Sequence, residues 1–268
     1  MKKIIALLTV LFVILGLSIP AFASTDIHAA PEAFDKVKMS EMLLQNGVST
    51  DKVQGLLDKL QNNILPDSVN PTKIALVPEG VLNATMDEPY KKYVFPDGSF
   101  IEKKITVLNK IKLIPENREE LIAAVGSAEK ADEIFAKAKE LQNQKKKIFR
   151  IMSVTGGSTY NIDNSTWEVG TWVQENQTVA YSGFGADFVI VWGGVDYINS
   201  VYNWSITTFG GTYNDVTLTI DRKYEEQYTG RPAVATLKFD YVVTGGITES
   251  TYHTSLNVGN NSYYSSAW

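Results

Sequence analysis

The chain has 268 residues, no cysteine and a formal net charge of −5. The missing cysteine excludes disulfides, a thiolate nucleophile, Cys-based zinc sites and a lipid-anchored cysteine. A hydrophobic content of 44% excludes a disordered chain.

The first element in chain order is a leader. Lys2 and Lys3 precede an apolar run from Ile4 to Leu17. Pro20 breaks the run, and Ala21-Phe22-Ala23 sets small residues before Ser24. This is the three-part pattern of a secretory signal peptide (1–23), cut between Ala23 and Ser24, and the run is short for a membrane span. The expected product is secreted, with no stable membrane insertion, and is either released or held at the cell wall by non-covalent contacts.

Residues 24–66 read as the mature N-terminus and a helical hairpin. Phe34, Val37, Met42 and Leu44 suggest one helix ending at Gly47. Thr50 reads as the N-cap of a second, whose stripe is Val53, Leu56, Leu57 and Leu60. Such a hairpin is either a packing element or a dock for a protein partner. Residues 67–149 read as a β-hairpin followed by helices. Tyr90 to Leu108 folds around Pro96-Asp97-Gly98, Pro115 opens a helical region, and Gly126-Ser127 divides it.

The chain changes character near residue 150. Residues 24–150 carry 19 basic and 19 acidic side chains, whereas 151–268 carry 4 and 11, a balance of −7. An acidic back half argues against nucleic acid, whose phosphates need a cationic surface. All five tryptophans lie beyond residue 150, and Gly, Thr, Asn and Ser rise. Residues 150–268 therefore read as a β-sandwich domain of about seven or eight short antiparallel strands, immunoglobulin-like in size. Ala186, Phe188, Ile190 and Trp192 alternate with Asp187, Val189 and Val191. Val216, Leu218 and Ile220, then Ala233 to Tyr241, alternate in the same way. Further strands are expected near 148–155, 167–174, 198–208, 249–258 and 261–267. The fold class is α+β, a small helical and β-hairpin front followed by this sandwich.

The segments LLQNGVSTDKVQGLLDKL (43–60), YVFPDGSFIEKKI (93–105) and GADFVIVWGGVDYINSVYNWSITTFGGTY (185–213) resemble secreted proteins of Gram-positive bacteria. Those proteins are uncharacterised and carry a C-terminal β-rich domain of unknown function. The resemblance implies secretion and a β-rich domain, and it brings no catalytic residue.

Chemistry is sparse. The two histidines, His28 and His253, have no nucleophile motif beside them. Glu168, Glu175, Asp187, Asp196, Asp221, Glu225 and Glu226 are the carboxylates from which a polysaccharide hydrolase would draw a pair. Asp163 and Asp196 suit turn-forming hydrogen bonds, with calcium ligation the alternative. No catalytic, metal or cofactor site is expected. The suggestive feature is the aromatic group Trp167, Trp172, Trp192, Tyr197, Tyr202 and Trp204, whose rings either fill a core or stack on a ligand. The leading expectation is a secreted, non-catalytic protein that binds a cell-wall glycan or an extracellular protein through its β-sandwich.

Overall fold

The computed structural model describes residues 35–78, 80–152, 165–243 and 249–266. The signal peptide with Ala23 and Ser24, His28, Phe34 and Asp163 lie outside them.

Two antiparallel sheets enclose the main core. The back of the chain runs as two antiparallel meanders, β5 (Thr166–Gln177), β6 (Ala180–Ile190) and β7 (Tyr197–Thr208) in one sheet, then β8 (Gly211–Arg222), β9 (Ala233–Val243), β10 (Glu249–Gly259) and β11 (Ser262–Ser265) in the other. The front of the chain supplies the short strands β1 (Ala84–Thr85), β2 (Tyr90–Val94), β3 (Phe100–Thr106) and β4 (Asn109–Lys112). One sheet has the order β1-β11-β10-β9-β8; the other runs β2-β3-β5-β6-β7, with β4 also paired to β5. The chain passes between sheets at the β7–β8 corner, where Gly210 takes a φ of 69°.

The change of composition near residue 150 does not separate two sheets. β3 and β4, from the front, pair with successive stretches of β5, and β1 pairs with β11. The segment at 148–152, expected as strand, is the end of a helix: α4 (Arg118–Val125) is followed by α5 (Ala128–Met152). The break between them is as expected, with Gly126 at a φ of 79° and the Ser127 hydroxyl accepting from the Lys130 amide.

The helical hairpin of α1 (Lys36–Gln45) and α2 (Thr50–Gln61) closes one end of the core. Its caps are partly those expected. Gly47 has a φ of 85° past the end of α1, but Thr50 is the first helical residue and Ser49 precedes it as the cap. The buried face of α1 is Met39 and Leu43, one step out of phase with the expected stripe, so Val37 and Leu44 are exposed. On α2, Val53, Leu56, Leu57 and Leu60 are buried as expected. All of these join Phe184, Leu237 and Tyr241 in the main core. The stripe that could have docked a partner is covered by the chain's own sheets.

Strand alternation holds on β8 and β9. Ala233, Ala235, Leu237, Phe239 and Tyr241 are buried, and Thr217, Thr219 and Asp221 are exposed. On β6 it holds for one face only. Ala186, Phe188 and Ile190 enter the main core, but Val189 and Val191 are buried too, because α4 and α5 lie over them. Trp192 falls beyond the strand and is 40% exposed.

A short helix, α3 (Pro71–Ile74), and the turn before it are pinned by Asp97 in the β2–β3 turn. Its carboxylate accepts from Lys59 Nζ at 2.7 Å, from the Asp67 amide at 2.8 Å and from the Ser99 amide at 2.9 Å. Burial pushes the Asp97 pKa up, but these donors outweigh it and hold the carboxyl below its ordinary range. The stabilisation is therefore present above the unfolded pKa of about 4 and is lost as pH falls through the lower folded value. Asp97→Asn is expected to cost about 2 kcal/mol at pH 7, since hydrogen bonds to charged groups contribute about 1.5–3 kcal/mol each. Urea unfolding at pH 7 and pH 3 checks it: the gap between wild type and variant should shrink at the lower pH. An undiminished gap would show that the charge of Asp97 is not what matters.

Candidate ligand-binding site

The outward face of the β5-β6-β7 sheet divides at a bulge. The pairing of β5 with β6 shifts between Glu168 and Thr171, and Gly170, inside the bulge, has a φ of 65°. Before it, Trp167 and Val169 pack beneath α4 and α5 with Ile111, Leu121 and Val189. After it the alternation is displaced by one residue. Thr171 and Val173 turn inward, and Trp172, Gln174 and Asn176 take the outward face.

Directly opposed residues of antiparallel strands share a face. Trp172 lies opposite Gly185, and Gly185 opposite Tyr202. The next row is Lys104, Gln174, Gly183 and Ser205, and the one after it Glu102, Asn176, Tyr181 and Thr207. Gly183 and Gly185 thus put two side-chain-free positions in the middle of the face. Both are occupied by neighbouring rings. A Cβ on Gly183 would come within 2.9 Å of the Trp172 indole, and one on Gly185 would collide with the Tyr202 ring.

Hydrogen bonds hold the rings down. Trp172 Nε1 donates to the Tyr181 hydroxyl at 3.2 Å. The Tyr202 hydroxyl donates to Asp187 Oδ1 at 2.8 Å. Asp187 is itself fixed by the Gly170 amide at 2.9 Å and the Ser200 hydroxyl at 3.1 Å. Burial and the Asp187 carboxylate raise the Tyr202 pKa far above its ordinary value, so the phenol keeps its proton and remains a donor. The result is a strip of three rings along β6, Tyr181, Trp172 and Tyr202. Its floor from residue 181 to residue 185 is about 14 Å long at about 3.4 Å per residue. Amides and hydroxyls border it, and Lys104 and Glu102 stand in its rows on β3. The rings also shield the glycine backbone, which is their service to the sheet.

The other aromatics lie elsewhere. Trp167 and Tyr197 are core residues, 2% and 3% exposed, and Tyr197 packs against Tyr224 at 5.7 Å between ring centres. Trp192 sits in the turn after β6, its carbonyl accepting from Gln142. Trp204 is exposed on β7, one residue past Asn203 with its φ of 50°. Of the six aromatics expected, the fold brings together Trp172 and Tyr202 and adds Tyr181. The signal for Tyr181 is in the sequence: Tyr181, Gly183, Gly185 and Asp187 alternate with Ser182, Phe184 and Ala186, a period-two pattern with glycine on one face.

The candidate carboxylates are engaged. Glu168 meets Lys110 at 3.0 Å, and Glu175 meets Lys103 at 2.6 Å. Asp221 accepts from Thr219 and Thr236, and Glu226 from Thr229. Asp196 and Glu225, both buried, accept backbone amides with all four oxygens: Val191 and Asn261 on Asp196, Asp196 and Asn260 on Glu225. Turn stabilisation is thus the visible role of Asp196. His253 is half-buried opposite Lys238; burial and then that ammonium lower its pKa, keeping the imidazole neutral at pH 7. Among the described residues no three His, Cys, Asp or Glu side chains are placed to hold a metal ion, and no helix is long and apolar enough to cross a membrane.

Comparison with known protein families, curated proteins and solved structures finds no match for this chain.

Proposed function

We propose that the chain is exported, cleaved between Ala23 and Ser24, and binds a glycan at the cell surface or outside the cell. Its β-sandwich, of immunoglobulin-like size, presents the Tyr181-Trp172-Tyr202 strip, and no bond is made or broken. The observation that carries this reading is the pair of rings laid on Gly183 and Gly185 and anchored by hydrogen bonds. Sugar rings offer flat C–H faces that stack on aromatic rings, with hydroxyls around their edges. Gln174, Asn176, Ser205 and Thr207 border the strip with matching amide and hydroxyl groups. Rings fixed in advance lose little side-chain entropy on binding.

Two other readings have less behind them. A helical front that docks a partner needs an exposed apolar stripe, and that of α2 is buried. A hydrolase needs two free carboxyls facing across a cleft, and the candidates are hydrogen-bonded or ion-paired as described. The test is co-sedimentation of residues 24–268 with insoluble polysaccharides and purified cell wall, beside the Trp172→Ala/Tyr202→Ala double variant. Retention of the wild type and release of the variant is expected. Equal retention of both would overturn the assignment to this face.

A further inference from the structure

A second group of polar side chains lies between the sheets, away from the aromatic strip. Lys103 on β3 is completely buried. Its Nζ lies 2.6 Å from Glu175 Oε2, on the residue directly opposite in β5, and donates also to the Ser266 carbonyl at 2.7 Å. Gln177, two residues further along the same inward face of β5 and 2% exposed, donates its carboxamide N–H to the other oxygen of Glu175. A fully buried lysine is rare, and its desolvation is costly. Among the polar atoms of this interior without a partner are the carboxamide oxygen of Gln177 and the hydroxyl of Tyr252 on β10. Burial and the neighbouring Tyr241 and Glu175 keep that phenol protonated.

We propose that Lys103 and Gln177 join in an intramolecular isopeptide bond, with Glu175 carrying the proton between them. The geometry places an amine and a carboxamide on the two oxygens of one carboxylate. Diagonal neighbours on paired strands have Cβ atoms about 7 Å apart, within the span of a lysine stem. Glu175 takes a proton from the Lys103 ammonium. The freed Nζ lone pair attacks Cδ of Gln177, and negative charge gathers on Oε1, the oxygen without a partner. Glu175 then gives that proton to Nε2 and takes the second proton from Nζ, the Cδ–Nε2 bond breaks, and ammonia leaves, carrying the last proton away as ammonium. An amine and a primary amide become a secondary amide and ammonia, with no oxidant, metal or cofactor. Fixed proximity supplies the rate, and exclusion of water keeps the intermediate from hydrolysis. The product ties β3 to β5, giving this cysteine-free chain a cross-link that reductants cannot open.

Peptide mapping of the denatured protein by mass spectrometry tests it. The expected result is a branched peptide joining the segments that hold Lys103 and Gln177, lighter by one ammonia than their sum. Asn46-Gly47 can also lose ammonia, by succinimide formation, so the branched peptide and not the intact mass is decisive. Lys103→Arg, which keeps the charge but not the nucleophile, and Glu175→Gln are expected to give two separate peptides. Separate, unmodified peptides from the wild type would overturn the proposal, and a branched peptide in Glu175→Gln would overturn the role of Glu175. The wild-type digest is read after denaturation, so it decides for the bond even where a variant fails to fold.

Discussion

Asp196→Ala is expected to lower the unfolding free energy by about 2–6 kcal/mol, because it leaves two backbone amides without an acceptor, each worth about 1–3 kcal/mol when buried. Those amides belong to Val191, in the turn after β6, and Asn261, at the β10–β11 turn. Asn260 and Asn261 both have positive φ, 55° and 58°, so that turn is already a costly conformation for residues other than glycine. Asp196 also donates its own amide to Glu225, which holds Asn260. Three connections at one end of the sheets are thus bound through two carboxylates. Asp196→Asn is the sharper control: one oxygen remains, but an N–H now faces an N–H, so most of the loss should persist. Urea unfolding measures the free energy, and hydrogen exchange at Val191 and Asn261 locates it. A variant within about 0.5 kcal/mol of wild type, the range of ordinary surface substitutions, would show that the amides find other acceptors and that the clamp is not needed.

What could be read from the sequence was whatever local chemistry dictates. The helical hairpin is announced by Gly47 and by the α2 stripe, and the break between α4 and α5 by Gly126-Ser127. β8 and β9 alternate visibly because one face meets the core and the other meets water. Pairing between distant strands leaves no such trace. Nothing in FIEKKI (100–105) indicates that it will lie beside β5, some 70 residues later, so the shift in composition near residue 150 invites a boundary that the sheets cross. The phase of α1 has no local signal either. Its burial depends on Gly210 and Tyr241 at the sheet end, and Met39 presses against Gly210 there.

For the site, the deciding element is one glycine. With regular alternation Trp167 and Trp172 would point to opposite faces, and the bulge at Gly170 puts both on the outward face. Helices α4 and α5 then cover the first and leave the second open. Gly170 marks the bulge only as a lone glycine inside a strand, and the cover by α4 and α5 leaves no signature near either tryptophan. The glycines of β6 do have one, since two of them two residues apart in a strand invite either a bulge or a close approach from a neighbour.

Trp172→Ala is expected to weaken glycan binding by about ten- to a hundredfold, the loss of about 1.4–2.8 kcal/mol that a buried aromatic anchor supplies. Tyr202→Phe separates stacking from anchoring. It keeps the ring on Gly185 but removes the donor to Asp187, so its effect should be smaller than that of Tyr202→Ala. Gly185→Ala approaches the same site from below. The added methyl cannot share space with the Tyr202 ring, so the ring must lift and its hydrogen bond to Asp187 must lengthen. Stability bears on the comparison, because removing a ring exposes glycine backbone and weakens the sheet. Each variant therefore needs its unfolding midpoint beside its affinity, measured by titration against a soluble fragment of the retained polysaccharide. Weaker binding in a variant that unfolds at the wild-type midpoint assigns the rings to the ligand. Binding that follows the loss of stability, and recovers when the variant is measured well below its midpoint, would leave the rings only their service to the glycines.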